Sequence, residues 1–180
     1  MGRHILTEVY GKMPPMPENE LKCCVSGSFF KFKPEIDRTI DEFRDLGITV
    51  LAPEKGWLFI PNRIQRAKYM EFRPLPSERK MSIRQIEDSF LLKIKQADFH
   101  YIANFEGYLG PSSALEIGFA MACGVPSFSV EQIKLDEPND LWLKKITGKI
   151  KIAAPKEVKR LFTETWEEWK AALDLGTLEL

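Results

Sequence analysis

Residues 98–130 read DFHYIANFEGYLGPSSALEIGFAMACGVPSFSV, and the order of textures in that stretch decides the fold. Asp98 precedes a continuous apolar run over 99–103, which gives way to a polar, glycine-containing loop over 104–111. A helix of small and apolar residues then runs to Gly124, and a second short apolar run fills 125–130. Strand, loop, helix and strand in that order make a βαβ unit, which joins parallel strands. Short, mostly apolar strands alternating with helices indicate a parallel sheet covered by helices on both faces.

The same alternation extends outward. Residues 21–25 form another apolar run, breaking into Ser26-Gly27-Ser28. Pro34 then opens a helix to about Leu46, with Ile36, Ile40, Phe43 and Leu46 at helical spacing and Gly47 just past its end. A second strand covers 48–51 and stops before Pro53. Residues 53–80 show no clean period and carry Pro53, Pro61, Pro74 and Pro76, which predicts an irregular segment. Ser82 or a neighbour starts a helix carrying Ile83, Ile86, Phe90, Leu91 and Ile94. Towards the C-terminus, 141–153 is ambiguous, with a short strand over 149–153. A helix over 155–173 follows, with Val158, Leu161, Phe162, Trp166 and Trp169 on one face. Residues 1–21 read as an irregular arm. The prediction is one α/β domain over 1–180, a parallel sheet of about five strands with helices on both faces.

Composition narrows the function. The chain has 180 residues, 44% of them apolar, enough for one domain with a real core. Lys plus Arg and Asp plus Glu balance at 26 each, so no global field draws it to nucleic acid or an anionic membrane. Cys23, Cys24 and Cys123 are an odd set without Cys-x-x-Cys spacing. With only His4 and His100 beside them, neither a disulfide framework nor a zinc site is expected. No apolar stretch approaches the length of a membrane span, and no apolar signal segment opens the chain. The expectation is a soluble, cytoplasmic protein.

In a parallel sheet the ligand crevice lies beyond the carboxyl ends of the strands. The loops expected there are 26–30, 53–57 and 104–113. Glu116 is the one acid in an apolar and small-residue helix. Ser113-Ala-Leu-Glu116 fits a capping box, in which the glutamate reaches back to the serine amide. The alternative is a carboxylate aimed into the crevice, ionised and nucleophilic. Asp98, immediately before a strand, is either a turn residue or a second carboxylate; two carboxylates are the minimum for cleaving a glycosidic bond. Ser26-Gly-Ser28 offers backbone amides to a phosphate or sugar hydroxyl, yet matches no Walker or dinucleotide fingerprint. Lys31 and Lys33 follow it, as phosphate contacts or as a solvated helix flank. Between 55 and 84, eight basic residues stand against two acidic ones, among Trp57, Phe59, Tyr69 and Phe72. That mixture suits single-stranded nucleic acid, a lid over an anionic substrate, or a subunit interface.

Three motifs together resemble the nucleoside 2-deoxyribosyltransferase-like superfamily, which includes the 2′-deoxynucleoside 5′-monophosphate N-hydrolases. They are VSGSF at 25–29, QADFHYI at 96–102 and GPSSALEIGFAMACGVP at 110–126, the last being the most specific. The resemblance covers roughly residues 22–130. It implies a flavodoxin-like, doubly wound (Rossmann-like) domain, assembled as a homodimer or larger homo-oligomer with a neighbouring subunit completing the pocket. It implies Glu116 as the nucleophile and Asp98 as the residue that assists the leaving base. Ser26, Gly27, Ser28 and Phe29 would line the sugar or phosphate side. Asn104, Gly110, Ser112 and Ser113 would complete the substrate contacts from the loop before the Glu116 helix. No metal or redox cofactor is required, and the partner is a nucleoside or nucleotide. Gly110 stands where many of the transferases carry an acid, which favours hydrolysis over transfer, and Cys24 stands where a tyrosine is common. Rival expectations are a nucleotide-sensing domain without turnover and a nucleic-acid contact through 55–84.

Overall fold

The computed structural model describes residues 20–56, 58–61, 70–134 and 150–175. Its strands are β1 (Lys22–Gly27), β2 (Thr49–Ala52), β3 (Leu58–Pro61), β4 (Met70–Arg73), β5 (Phe99–Ala103), β6 (Ser127–Ser129) and β7 (Lys151–Ile152). Its helices are α1 (Phe29–Asp45), α2 (Ile83–Gln96), α3 (Pro111–Ala122) and α4 (Pro155–Leu175). Five strands form a parallel sheet in the order β2-β1-β5-β6-β7, so the fold is the doubly wound α/β class expected. From β1 the chain steps outward to β2, then returns to β5 and steps outward the other way. The order therefore reverses between β1 and β5.

Period-two alternation divides the core. Cys23 and Val25 of β1 share a face with Phe99, Tyr101 and Ala103 of β5. Ile36, Ile40 and Phe43 of α1 and Val158 and Phe162 of α4 cover them. Cys24 points to the other face, into a cluster with Phe90 and Ile94 of α2 and Ala120 of α3. Each such Ile or Phe contributes about 1.5–3 kcal/mol by leaving water, so these stripes fix which way the helices face. The side chains of Trp166 and Trp169, expected on the same stripe of α4, lie outside the described ones.

Three sequence expectations need correction. The segment over 53–80 is not irregular throughout: β3 and β4 pair antiparallel, with Leu58 opposite Arg73 and Pro61 opposite Met70. Pro61 occupies the end of its strand, where a missing N–H disturbs the pairing least. Of the residues that gave this segment its mixed character, Trp57, Arg63, Arg66, Lys68 and Tyr69 lie outside the described residues, as does the arm over 1–19. Second, α1 starts at Phe29, ahead of Pro34. Its first turn is kinked at Phe32 (φ −128°, ψ 31°), because Pro34 cannot donate to the carbonyl four residues back and crowds it. Third, the capping box belongs to α2. There the Gln85 amide donates to Ser82 Oγ (3.2 Å) and the Ser82 amide to Gln85 Oε1 (2.8 Å). In α3, Gly110 is the cap and Pro111 the first residue, which puts Glu116 in the second turn, beyond reach of a first-turn role. The stop of α3 is as read: Gly124 takes the left-handed conformation (φ 70°) that ends helices.

Gly27 closes β1 where it meets β5. A Cβ there would lie 2.9 Å from the Ala103 carbonyl oxygen and 2.8 Å from Ile36 Cδ1. Ile36 can turn aside, but the strand carbonyl cannot. Gly27→Ala is expected to destabilise the fold by about 1–3 kcal/mol in urea unfolding; an unchanged midpoint would show that the two strands tolerate separation.

Candidate functional site

A cavity of about 280 Å³ opens at the reversal between β1 and β5. The end of β1 and the turn after it line one side through Ser26, Gly27, Ser28, Phe29 and Phe30. α2 supplies Ile83, Ile86, Glu87 and Phe90. Tyr108, Gly110, Pro111, Ser112, Ser113 and Glu116 come from the loop after β5 and from α3. Phe32 lies against Phe105 and Tyr108, with ring centroids 6.0 and 6.4 Å apart, so the two loops that meet here are fastened by an aromatic cluster. Lys31 Nζ stands 3.5 Å from the centre of the ring of Tyr108, one of the lining residues.

Glu116 is 7% exposed. Burial pushes its carboxyl up to about 7, the Ser26 hydroxyl that donates to it pulls the other way, and the neighbouring Glu87 carboxylate adds to the rise. Glu87 is raised as well, by burial and then by Asp88. Its Oε1 is enclosed and lacks a hydrogen-bond partner. Two carboxyl groups thus face one small cavity and repel each other there. Such a pair keeps a proton to higher pH than either acid would in water.

Eight of the ten residues expected at the site line this cavity: Ser26, Gly27, Ser28, Phe29, Gly110, Ser112, Ser113 and Glu116. Asp98 and Asn104 do not. Asp98 precedes β5 at the amino edge of the sheet. There its Oδ2 accepts from the Lys22 amide (2.7 Å) while its own amide donates to the Lys22 carbonyl (2.8 Å). β5 separates it from the cavity by roughly 16 Å of extended chain. Its position before an apolar strand reflects this ladder-closing role, the turn alternative of the sequence reading. Asn104 pairs with the backbone of Glu131, donating to its carbonyl (2.8 Å) and accepting from its amide (3.1 Å), and so ties the loop after β5 to the end of β6.

The residue missed in the sequence is Glu87. Its signal was present: positions 83, 86, 87, 90 and 94 make one helical stripe, and Glu87 is the one acid in it. His100 was equally legible, as the polar residue inside an otherwise apolar strand. It is fully buried. Among the described residues, no group of His, Cys, Asp and Glu side chains is arranged to hold a metal ion, and no helix is long and apolar enough to cross a membrane.

No family model matches the sequence, and no curated protein matches it. A solved structure, the CMP N-glycosidase BcmB of Clostridium botulinum, is similar to this chain. Identity is 14%, the match covers 73% of this chain and 84% of that one, and the TM-score is 0.45. The fold class rests on the strand order given above and not on that likeness.

Ionised Glu116 is costly to bury, and the sign of its effect on stability follows. The fold favours the protonated form, so this stabilisation is full below about pH 4.5 and is lost as the pH rises through about 7. Between pH 5 and pH 8, Glu116→Gln is expected to gain about 2–3 kcal/mol relative to the unsubstituted chain. Chemical unfolding at the two pH values measures this; a difference that stays flat with pH would place the carboxylate in solvent.

Proposed function

We propose that the chain cleaves the N-glycosidic bond of a nucleoside or nucleoside 5′-monophosphate, with Glu116 as nucleophile and Glu87 as acid and base. The observation that carries this reading is that both carboxyl groups line one small cavity. Glu87 takes the part that the sequence reading gave to Asp98, whose place at the opposite edge of the sheet removes it from the scheme.

In the first half-reaction a Glu116 oxygen bonds to C1′ as the C1′–N bond breaks. The bonding pair leaves on the base, and Glu87 supplies the proton that neutralises it. In the second half, water attacks C1′ and gives its proton to Glu87, while Glu116 departs as the carboxylate. Free base and free sugar, or sugar phosphate, are the products. Several features support the assignment. Ser26 holds the nucleophile, and Phe30, Phe90 and Tyr108 offer aromatic surface to a base. Gly27 and Ser28 line the cavity where a sugar or phosphate oxygen would sit, and Ser112 and Ser113 lie about one turn from Glu116 along α3. Hydrolysis fits better than transfer, since Gly110 stands where many of the related transferases carry an acid that contacts the sugar. Homo-oligomerisation belongs to the same reading, with the exposed Phe30 and Ile83 at the rim as the surface a second copy would cover.

The productive state has one proton on the pair, held by Glu87. Glu116 sheds its own proton only as the pH rises through about 7, so kcat/KM is expected to rise there and to fall again once Glu87, itself raised by burial, ionises. The direct test incubates the protein with nucleosides, deoxynucleosides and their 5′-monophosphates, CMP among them, and follows released base by chromatography. Glu116→Ala and Glu87→Gln should each lower the rate by about a hundredfold or more. No released base across the panel, with ligand still bound, would make this a binding domain. Base release unaffected by Glu116→Ala would remove the nucleophile assignment.

A further inference from the structure

His100 belongs to neither the cavity wall nor the reaction scheme, yet it is fully enclosed in the centre of the sheet. Sheet register explains what surrounds it. Cys24 of β1 and Ser127 of β6 stand directly opposite His100, and Ser26 lies two residues further along β1 on the same face. The ring therefore reaches Ser26 Oγ through Nε2 at 2.5 Å and Ser127 Oγ through Nδ1 at 3.4 Å. A polar group so enclosed is costly unless its partners are fixed, and here both are side-chain hydroxyls of flanking strands.

Ser26 and Glu116 line the same cavity, and the single hydroxyl proton of Ser26, directed at Glu116, holds that carboxyl down. The Ser26 oxygen must then accept from His100, which requires the Nε2–H tautomer and leaves Nδ1 to accept from Ser127. We propose that His100 is a positioning residue: through Ser26 it commits a hydroxyl proton to the Glu116 carboxylate, forming the directed chain Ser127→His100→Ser26→Glu116. Burial pushes the imidazole down to about 3, so the ring stays neutral over the working range and acts as a fixed relay of hydrogen-bond direction, not as a charge. Other groups facing Glu116 are Glu87 from α2, the Cys24 thiol from β1 and Tyr108 from the loop after β5. None of them donates to it in the described structure. The inference rests on Glu116 being the working carboxylate, but its test does not depend on turnover.

The test is nuclear magnetic resonance of the whole chain, with the His100 ring nitrogens and the Glu116 carboxyl carbon observed separately. At pH 8 the unsubstituted protein is expected to show the Nε2–H tautomer. Ser26→Ala and His100→Phe should each raise the Glu116 midpoint by roughly one unit, and the double variant should raise it no further. His100→Gln, which retains an N–H near the Nε2 position, should restore most of the shift. Should His100→Phe fail to fold, the tautomer and the glutamine variant still decide. An Nδ1–H tautomer at pH 8, or a Glu116 midpoint unmoved in folded His100→Phe, overturns the proposal. Failure of the glycosidase reading is recognised separately, as absence of base release with the Glu116 titration still shifted by the variants.

Discussion

Because β1 and β5 pair in parallel where the sheet order reverses, the two chains leaving their carboxyl ends must diverge, and the gap between them cannot be filled by either. That divergence creates the cavity. The closeness of the pairing, with Gly27 against the Ala103 carbonyl, brings Ser26 near His100 and lays the first turn of α1 beside the loop after β5. Ser26 and His100 hang from these two strands, and Glu87 and Glu116 are delivered by the helices packed on the face of Cys24.

Placing two carboxyl groups there works against stability. An acid in water would cost nothing; Glu116 of α3 and Glu87 on the inward stripe of α2 each lose solvent, and the Glu87 charge makes ionised Glu116 costlier still. Apolar side chains at both positions would pack with the Ile86, Phe90 and Ile117 already beside them. A fold selected for stability alone has no use for the pair. This is the physical reason for treating these two residues differently from the exposed acids of α1, such as Asp41 paired to Lys55 or Glu35 near Arg38.

Much of this was legible before any coordinates. Strand and helix order followed from short, mostly apolar runs such as 99–103 and from the glycine stops at the helix ends. Glu116 stood out because nothing else in its helix is charged. What was lost was lost for identifiable reasons. Sequence gives the distance along the chain and not the end of a strand at which a residue lies, so Asp98 looked adjacent to the site that β5 holds it away from. The α3 start was misjudged because Ser113 and Glu116 mimic a capping box, while the actual cap, Gly110, has no side chain to signal with. Glu87 was overlooked because a single acid in an amphipathic helix reads as part of its wet face until its register with Ile83, Ile86 and Phe90 is counted. Pairing of β3 with β4 was hidden by prolines that break the alternation by which hairpins are recognised.

Lys31 over the Tyr108 ring gives the cavity a polarity of its own. The wall carries two carboxyl groups, and a cation braced on the aromatic face of one lining residue stands near them, so charge of both signs is presented to an approaching molecule. A molecule with charge at one end alone would be oriented by that gradient before touching any wall. Its anionic end would be drawn to Lys31 and away from the carboxyl groups. Orientation would then be settled during approach, and its strength would decline with added salt even where the contacts inside remain the same.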